Sequence, residues 1–129
     1  CNANTVFSTT VCCALYASGT YFEPITNKWF TTIAYKLNYK QITGLSTDAR
    51  CRETQSLIEH YKAKGAKLVD MECAAIYAFA KFYNLNAFCV LIASDALSET
   101  NWSPPKDMNG LNDAMLKTFK TLSKIISNV

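Results

Sequence analysis

The stretch Val69–Asp95 reads VDMECAAIYAFAKFYNLNAFCVLIASD, and its pattern predicts a helix, a tight turn and an apolar strand in succession. Apolar residues recur at helical spacing at its start, which predicts a helix over about residues 72–83. The run AFCVLIA at 87–93 is continuously apolar, which is typical of a parallel strand covered by helices on both faces. Two carboxylates, Glu72 and Asp95, stand at the start of the helix and after the end of the strand.

The predicted helix is expected to bury one apolar face. Its apolar side chains fall at positions i, i+1, i+4, i+7 and i+8, a pattern typical of a core-facing stripe. Alanines between them would allow close packing against a sheet. The predicted buried face consists of Ala75, Ile76, Phe79, Phe82 and Tyr83.

The rest of the chain continues the alternation of strands and helices. Strands are predicted over residues 5–17, 39–45 and 66–71, and helices over about 24–38, 53–64 and 111–126. Asp48 is expected to cap the second of these helices, and Gly65 to end it. The last helix is expected to pack through Leu111, Met115, Phe119, Leu122, Ile125 and Ile126. The alternation predicts an α/β fold with a layered mixed sheet flanked by helices.

Length and composition narrow the classes of function. The chain has 129 residues, enough for one domain, and 50% of them are hydrophobic and 18% charged. The net charge of +3 is mild and basic runs are absent, so nucleic acid and membrane surfaces are not expected partners. No apolar run reaches the length of a membrane span. The chain begins without a methionine, and we expect it to be one portion of a longer protein.

The cysteines and the single histidine bear on redox state and metal binding. Of six cysteines, Cys73 and Cys89 lie inside apolar periodic segments, where a thiol behaves as a small buried hydrophobe. This favours a reduced, cytoplasmic protein. One histidine and no CxxC motif give no metal-ligand spacing, so no metal site is expected. Glycine-rich phosphate loops are also absent from the sequence, and no cofactor is expected.

The placement of Glu72 and Asp95 indicates a site. Ligands of open α/β sheets bind beyond the carboxyl ends of the strands, and both residues directly follow a predicted strand. Two structural roles compete with this interpretation. An aspartate after a strand commonly caps a helix, and a glutamate in a first helical turn favours the helix dipole. From the residues alone, both interpretations stay open.

Three motifs stand in register along this sequence: a Val-x-Met-Glu-x-x-Ala segment, a later strand that ends in Ser-Asp, and a Gly-x-x-Ser-x-Asp-like loop upstream. Their residues are Val69, Met71, Glu72, Ala75, Ser94, Asp95 and the loop Gly44–Asp48. Together these motifs resemble the nucleoside phosphorylase and nucleosidase superfamily, in particular purine nucleoside phosphorylases. The resemblance implies that residues 1–129 form the C-terminal portion of a single domain of this family.

The resemblance also implies a division of roles among these residues. Met71 and Glu72 would hold the ribose, with Glu72 accepting a hydrogen bond from the 2′-hydroxyl. Val69 would contact the base or sugar, and Ser94 would belong to the same substrate-binding set. Asp95 would be the general acid toward purine N7, which requires a proton on its carboxyl group. Burial and the nearby charge of Glu72 would favour that proton.

The implied reaction is phosphorolysis of purine ribo- and deoxyribonucleosides, which yields the free base and ribose 1-phosphate with phosphate as co-substrate. Two alternatives stay open: a hydrolytic nucleosidase of the same fold, and a non-catalytic nucleoside-binding or storage protein. Arg50 stands where the family usually has an aromatic residue that stacks on the base. The expected partners are purine nucleoside, phosphate, and either further copies of the chain or the N-terminal half that carries the family's phosphate-binding residues.

Overall fold

Strands and helices alternate along most of the chain in the computed structural model. The structure describes residues 9–17, 20–22, 28–48, 53–97, 102–103 and 107–128. Residues 5–8 and 24–27 of the predicted elements lie outside this part. The strands are β1 Thr9–Ala17, β2 Thr20–Phe22, β3 Lys40–Ser46, β4 Ala66–Asp70, β5 Cys89–Ile92, β6 Ala96–Leu97 and β7 Trp102–Ser103. The helices are α1 Lys28–Leu37, α2 Gln55–Ala63, α3 Cys73–Phe82 and α4 Met108–Ile126.

Strand β1 lies at the centre of a five-stranded mixed sheet. β3 pairs with β1 in parallel, and β4 pairs with β3 in parallel. The other edge of β1 is shared by two antiparallel strands, β5 along its first half and β2 along its last residues. β6 and β7 form a separate two-stranded ribbon that the sequence pattern did not predict. The predicted α/β fold with a mixed sheet flanked by helices is confirmed.

Helices cover the sheet from two sides and form two clusters of buried side chains. On one face, α1 contributes Ile33 and Leu37, which pack with side chains of α4 and with Phe88 and Val90. On the other face, α3 contributes Cys73 and Tyr77, which pack with Cys89 and Leu91. Neighbouring residues of β5 thus face opposite layers, as the pleat of a strand requires. The prediction that this strand is covered on both faces is confirmed.

The prediction that β5 is parallel to its neighbours is wrong. Ile92, its last residue, pairs with Thr9 at the start of β1, so β5 runs antiparallel to β1. The length of α3 is compatible with this direction. Ten helical residues span about 15 Å, whereas the seven steps from Thr9 to Tyr16 in β1 span roughly 23 Å. The helix therefore returns the chain only part of the way, and β5 continues toward the same end of the sheet.

The predicted buried face of α3 is also wrong. Ala75, Ile76, Phe79, Phe82 and Tyr83 are exposed, with Phe82 81% accessible. The buried residues are instead Cys73, Tyr77 and Ala80, which lie on the opposite side of the helix. Small side chains at two of these three positions allow the helix to approach the sheet closely. The large apolar residues consequently form an exposed surface.

The ends of the other helices show a similar mixture of confirmed and corrected predictions. Thr54, rather than Asp48, caps α2 by accepting a hydrogen bond from the Leu57 amide at 3.4 Å. Gly65 follows α2 with a φ of 91°, a left-handed conformation that suits glycine. Helix α4 buries Leu111 and half-buries Leu122 and Ile125, whereas Met115, Phe119 and Ile126 are exposed.

Candidate functional site at the start of helix α3

The segment between β4 and α3 presents three of the predicted site residues to solvent. Val69 is the fourth residue of β4, and Met71 and Glu72 form the bend that leads into α3. All three side chains are exposed. Because β3 and β4 are parallel, this bend lies beside the end of β3, at the carboxyl edge of the parallel strands. This is the edge at which ligands of α/β sheets bind.

Asp70 fixes the backbone of this segment. Its Oδ1 accepts hydrogen bonds from the Glu72 amide at 3.1 Å and from the Cys73 amide at 2.8 Å. The same oxygen accepts a 2.6 Å bond from the Ser46 hydroxyl. Oδ2 is buried and has no hydrogen-bond partner among the described residues. One carboxylate oxygen therefore holds two of the free amides that every helix start presents.

Ser46 connects this helix start to the neighbouring strand. Its hydroxyl donates to Asp70 and accepts a 3.0 Å hydrogen bond from the Ala74 amide in the first turn of α3. The next residue, Thr47, donates its amide to the Asp70 carbonyl at 2.9 Å. Ser46 and Thr47 are both buried. The end of β3, the end of β4 and the start of α3 are thus held by a single hydrogen-bond network.

Glu72 keeps its carboxylate at the surface of this network. It is the N-cap residue of α3, yet its side chain makes no capping hydrogen bond. Its Oε2 accepts a 3.3 Å bond from the amide of Met71. The positive end of the helix dipole favours a negative charge at this place. A solvent-facing carboxylate on a fixed backbone is suited to accept hydrogen bonds from a polyhydroxyl ligand such as a sugar.

The structure does not bring Asp95 to the same edge of the sheet. β4 ends beside the end of β3, whereas β5, which leads to Asp95, ends beside Thr9 at the opposite end of β1. Ser94 donates its hydroxyl to Asp95 Oδ1 at 2.8 Å, and Asp95 is exposed rather than buried. The expectation that Glu72 and Asp95 stand at converging strand ends is therefore not met, because β5 is antiparallel.

Two buried cysteine thiols lie behind the candidate site. Cys73 and Cys89 are both buried, as predicted, and neither forms a disulfide. The Cys73 side chain hydrogen-bonds to the Cys89 thiol and lowers the pKa of Cys89 below its ordinary value. Burial raises this pKa, the Tyr77 hydroxyl lowers it, and the charge of Asp70 raises it, with a net lowering.

The lowered pKa of Cys89 predicts a pH dependence of stability. The folded thiol releases its proton at a lower pH than the unfolded one, so thiolate formation favours the fold. The contribution is present above the ordinary thiol pKa of about 8.5 and is lost as the pH falls through the folded value. We expect the difference in unfolding free energy between the parent and Cys89→Ala to grow from about pH 7 to about pH 9.5. Urea denaturation at the two pH values measures it.

Removing the hydrogen-bond partner provides the control for this pH dependence. In Cys73→Ala the principal cause of the lowered pKa is gone, and a further Cys89→Ala change should then have an effect that no longer grows with pH. If the difference in unfolding free energy between the parent and Cys89→Ala shrank at alkaline pH, the pKa of Cys89 would not be lowered in the folded protein.

Other surfaces of the described residues offer less chemistry. No three histidine, cysteine, aspartate or glutamate side chains there cluster closely enough to hold a metal ion. A groove of about 360 Å³ runs along α4, lined by Lys117, Lys120, Lys124 and neighbouring residues. It belongs to a helix on the opposite face of the sheet from α3. No helix in the described ranges is both long and apolar enough to cross a membrane.

Sequence reasoning assigned no role to Asp70 or Ser46, the two side chains that organise the site. Asp70 fell between the matched positions of the Val-x-Met-Glu segment, and Ser46 was recognised only as part of a loop motif. A local signal for Asp70 was available, since an aspartate just before an apolar helix commonly accepts from the first helical amides. The signal for Ser46 is long-range, because its partners lie 24 and 28 residues away.

Comparison with known protein families gives a match over most of the chain. The family model described as the phosphorylase superfamily matches residues 19–127. The matched range includes β3, β4, α3 and β5. It therefore contains all five predicted site residues: Val69, Met71, Glu72, Ser94 and Asp95.

Proposed function

The chain belongs to the phosphorylase superfamily, and from that premise we propose that it cleaves the N-glycosidic bond of purine nucleosides by phosphorolysis. Membership of this superfamily indicates an activity of the nucleoside phosphorylase or nucleosidase type. The choice of purine nucleosides and of phosphate as the acceptor is our proposal. The products are then free purine base and ribose 1-phosphate, and no cofactor other than the co-substrate phosphate takes part.

The observation that carries the proposal is the exposed Glu72 carboxylate on a fixed helix start. Glu72 accepts a hydrogen bond from the ribose 2′-hydroxyl, while Met71 and Val69 line the sugar and the adjacent part of the base. As the bond from C1′ to N9 breaks, positive charge develops on the sugar ring. A nearby carboxylate stabilises that charge, and a charge-assisted hydrogen bond to the 2′-hydroxyl orients the ring.

The reaction ends with transfer of the sugar to phosphate. An oxygen of phosphate forms the new bond to C1′, and the electron pair of the broken bond leaves with the purine. Asp95 gives its proton to N7, so the base departs neutral, and Ser94 holds the Asp95 carboxyl group through the 2.8 Å bond. This step requires a conformation in which Asp95 is buried beside the base and near Glu72, because the structure shows Asp95 exposed and the strand ends that lead to the two residues apart.

A release assay with and without phosphate tests the reaction type. Inosine should yield hypoxanthine and ribose 1-phosphate only when phosphate is present. Equal base release in phosphate-free buffer would show hydrolysis and reject phosphorolysis. The opposite placement of the strand ends that lead to Glu72 and Asp95 favours a second candidate, a nucleoside-binding protein without turnover. Binding of inosine by calorimetry with no base release would identify that candidate.

Replacing Glu72 by glutamine should lower kcat/KM for inosine by roughly 10- to 100-fold. A hydrogen bond to a charged group is worth about 1.5–3 kcal/mol, most of which depends on the carboxylate charge. The loss should be clearly smaller with 2′-deoxyinosine, because that substrate lacks the hydroxyl that Glu72 binds and retains only the effect of the carboxylate on the ring charge. Steady-state kinetics with the two substrates measures both values.

Glu59→Gln is the matched control for this substitution. Glu59 lies on the exposed side of α2, where it accepts a 2.9 Å bond from Gln55. Glu59→Gln should leave kcat/KM unchanged for both inosine and 2′-deoxyinosine. An equal loss for inosine and 2′-deoxyinosine in Glu72→Gln would remove the 2′-hydroxyl assignment.

A further inference from the structure

We propose that Asp70 and Ser46 are positioning residues that hold Glu72 ready for the sugar. The inference rests on the proposed function of Glu72. Asp70 Oδ1 accepts from the amides of Glu72 and Cys73, and Ser46 holds both that oxygen and the amide of Ala74. These contacts fix the backbone of Glu72 from two strands. Neither residue contacts the substrate in this arrangement.

The network separates two tasks that one residue commonly performs. The residue at the N-cap of a helix normally uses its own side chain to hold the first free amides. Here Glu72 occupies the N-cap without making such a bond, because Asp70 and Ser46 hold those amides instead. The carboxylate of Glu72 is consequently available to a ligand, while its backbone amide is bonded to Asp70.

Burial makes the positioning rigid. Ser46 is only 8% accessible, and its hydroxyl is both a donor and an acceptor, so its orientation is fixed by two partners. The bond between Ser46 and Asp70 is short, as expected when the acceptor is charged. A misplacement of about 1 Å in a catalytic group can lower a rate by about 10²-fold. Loosening this network should therefore affect the reaction beyond any loss of stability.

The test compares Asp70→Ala with Asp107→Ala in the full chain. Asp107 caps α4 by accepting a 2.9 Å bond from the Gly110 amide, so its removal deletes a helix cap away from α3. A purely structural defect lowers the folded fraction and the apparent kcat but leaves KM for inosine unchanged. We expect Asp70→Ala to raise KM at least tenfold and to lower kcat/KM by about 10²-fold per folded molecule. Asp107→Ala should change neither.

Conservative variants complete the test. Asp70→Asn keeps an acceptor oxygen for the two amides and should stay within a few-fold of the parent. Ser46→Ala removes the bond to Asp70 and the bond from Ala74, and should also raise KM, which keeps the test decisive if Asp70→Ala does not fold. The inference would be overturned if KM for inosine in Asp70→Ala equalled KM in the control Asp107→Ala. The same outcome in Ser46→Ala would overturn it when Asp70→Ala does not fold.

The same experiment separates this inference from the proposed function. If the parent cleaves inosine and the Asp70 and Ser46 variants behave like the control, only the positioning inference fails. If the parent binds inosine without turnover, the calorimetric affinity replaces KM and the same comparison holds. If the parent neither binds nor cleaves inosine, the proposed function fails and the inference falls with it.

Discussion

Asp95→Asn is expected to lower kcat for the cleavage of purine nucleosides by about 10²- to 10⁴-fold, the usual contribution of a general acid. An asparagine amide cannot deliver a proton to N7, so the base would leave as an anion. Ser94 donates to Asp95 in the parent, and the asparagine carbonyl can accept the same bond. The variant thus removes the proton while keeping the local hydrogen bond. Single-turnover measurement of base release gives the effect on the chemical step.

A purine nucleoside methylated at N7 supplies the chemical control for Asp95. Its base is already cationic and needs no proton to leave, so Asp95→Asn should cleave it almost as fast as the parent does. Asp113→Asn, on an exposed position of α4, controls for the change in net charge. An unchanged kcat for inosine in Asp95→Asn would remove the acid assignment and favour a site built on Glu72 without it.

Ile33→Ala should cost the fold about 2–5 kcal/mol in unfolding free energy. Ile33 lies on α1, is 0% accessible and packs with residues of β5 and α4 in the cluster that it forms with Leu37. Truncation loses the transfer energy of the removed carbons and leaves a cavity between layers that cannot easily collapse. Urea denaturation followed by circular dichroism measures the loss.

Ile126→Ala is the matched control for Ile33→Ala, because the same side chain is 46% accessible at the end of α4. Its unfolding free energy should change by no more than about 0.5 kcal/mol. Equal losses in the two variants would contradict the burial that the structure assigns to Ile33.

The existence and order of the elements could be predicted, but the orientation of α3 could not. Lys81 is the only charged residue in CAAIYAFAKF, so the helix is apolar nearly all round and its periodicity does not select one face. The larger side chains led to the prediction that the face with Phe79 and Phe82 is buried. Packing selected Cys73 and Ala80 instead, because small residues allow a helix to approach a sheet. The face that packs is decided by how closely the backbone of α3 can approach the sheet, and an apolar sequence pattern does not show this distance.

Strand direction and the hydrogen-bond network were beyond prediction for a related reason. The apolar run before Ser94 showed that β5 is covered on both faces, but its direction depends on which strand it pairs with and on how far α3 returns the chain. Glu72 could be proposed from the sequence because its motif is local and contiguous. Ser46 needed contacts with residues more than 20 positions away, which only the folded arrangement brings together.

The Ser46 and Asp70 network also determines how the start of α3 opens. Most helix ends fray one residue at a time, and their amides exchange with solvent quickly. Here the amides of Glu72, Cys73 and Ala74 are each bonded to a side chain that is itself anchored in β3 or β4. Their release therefore requires the two strand ends and the helix start to separate together. Hydrogen exchange at these three amides would report one cooperative opening of the segment, with a common free energy instead of a gradient along the helix.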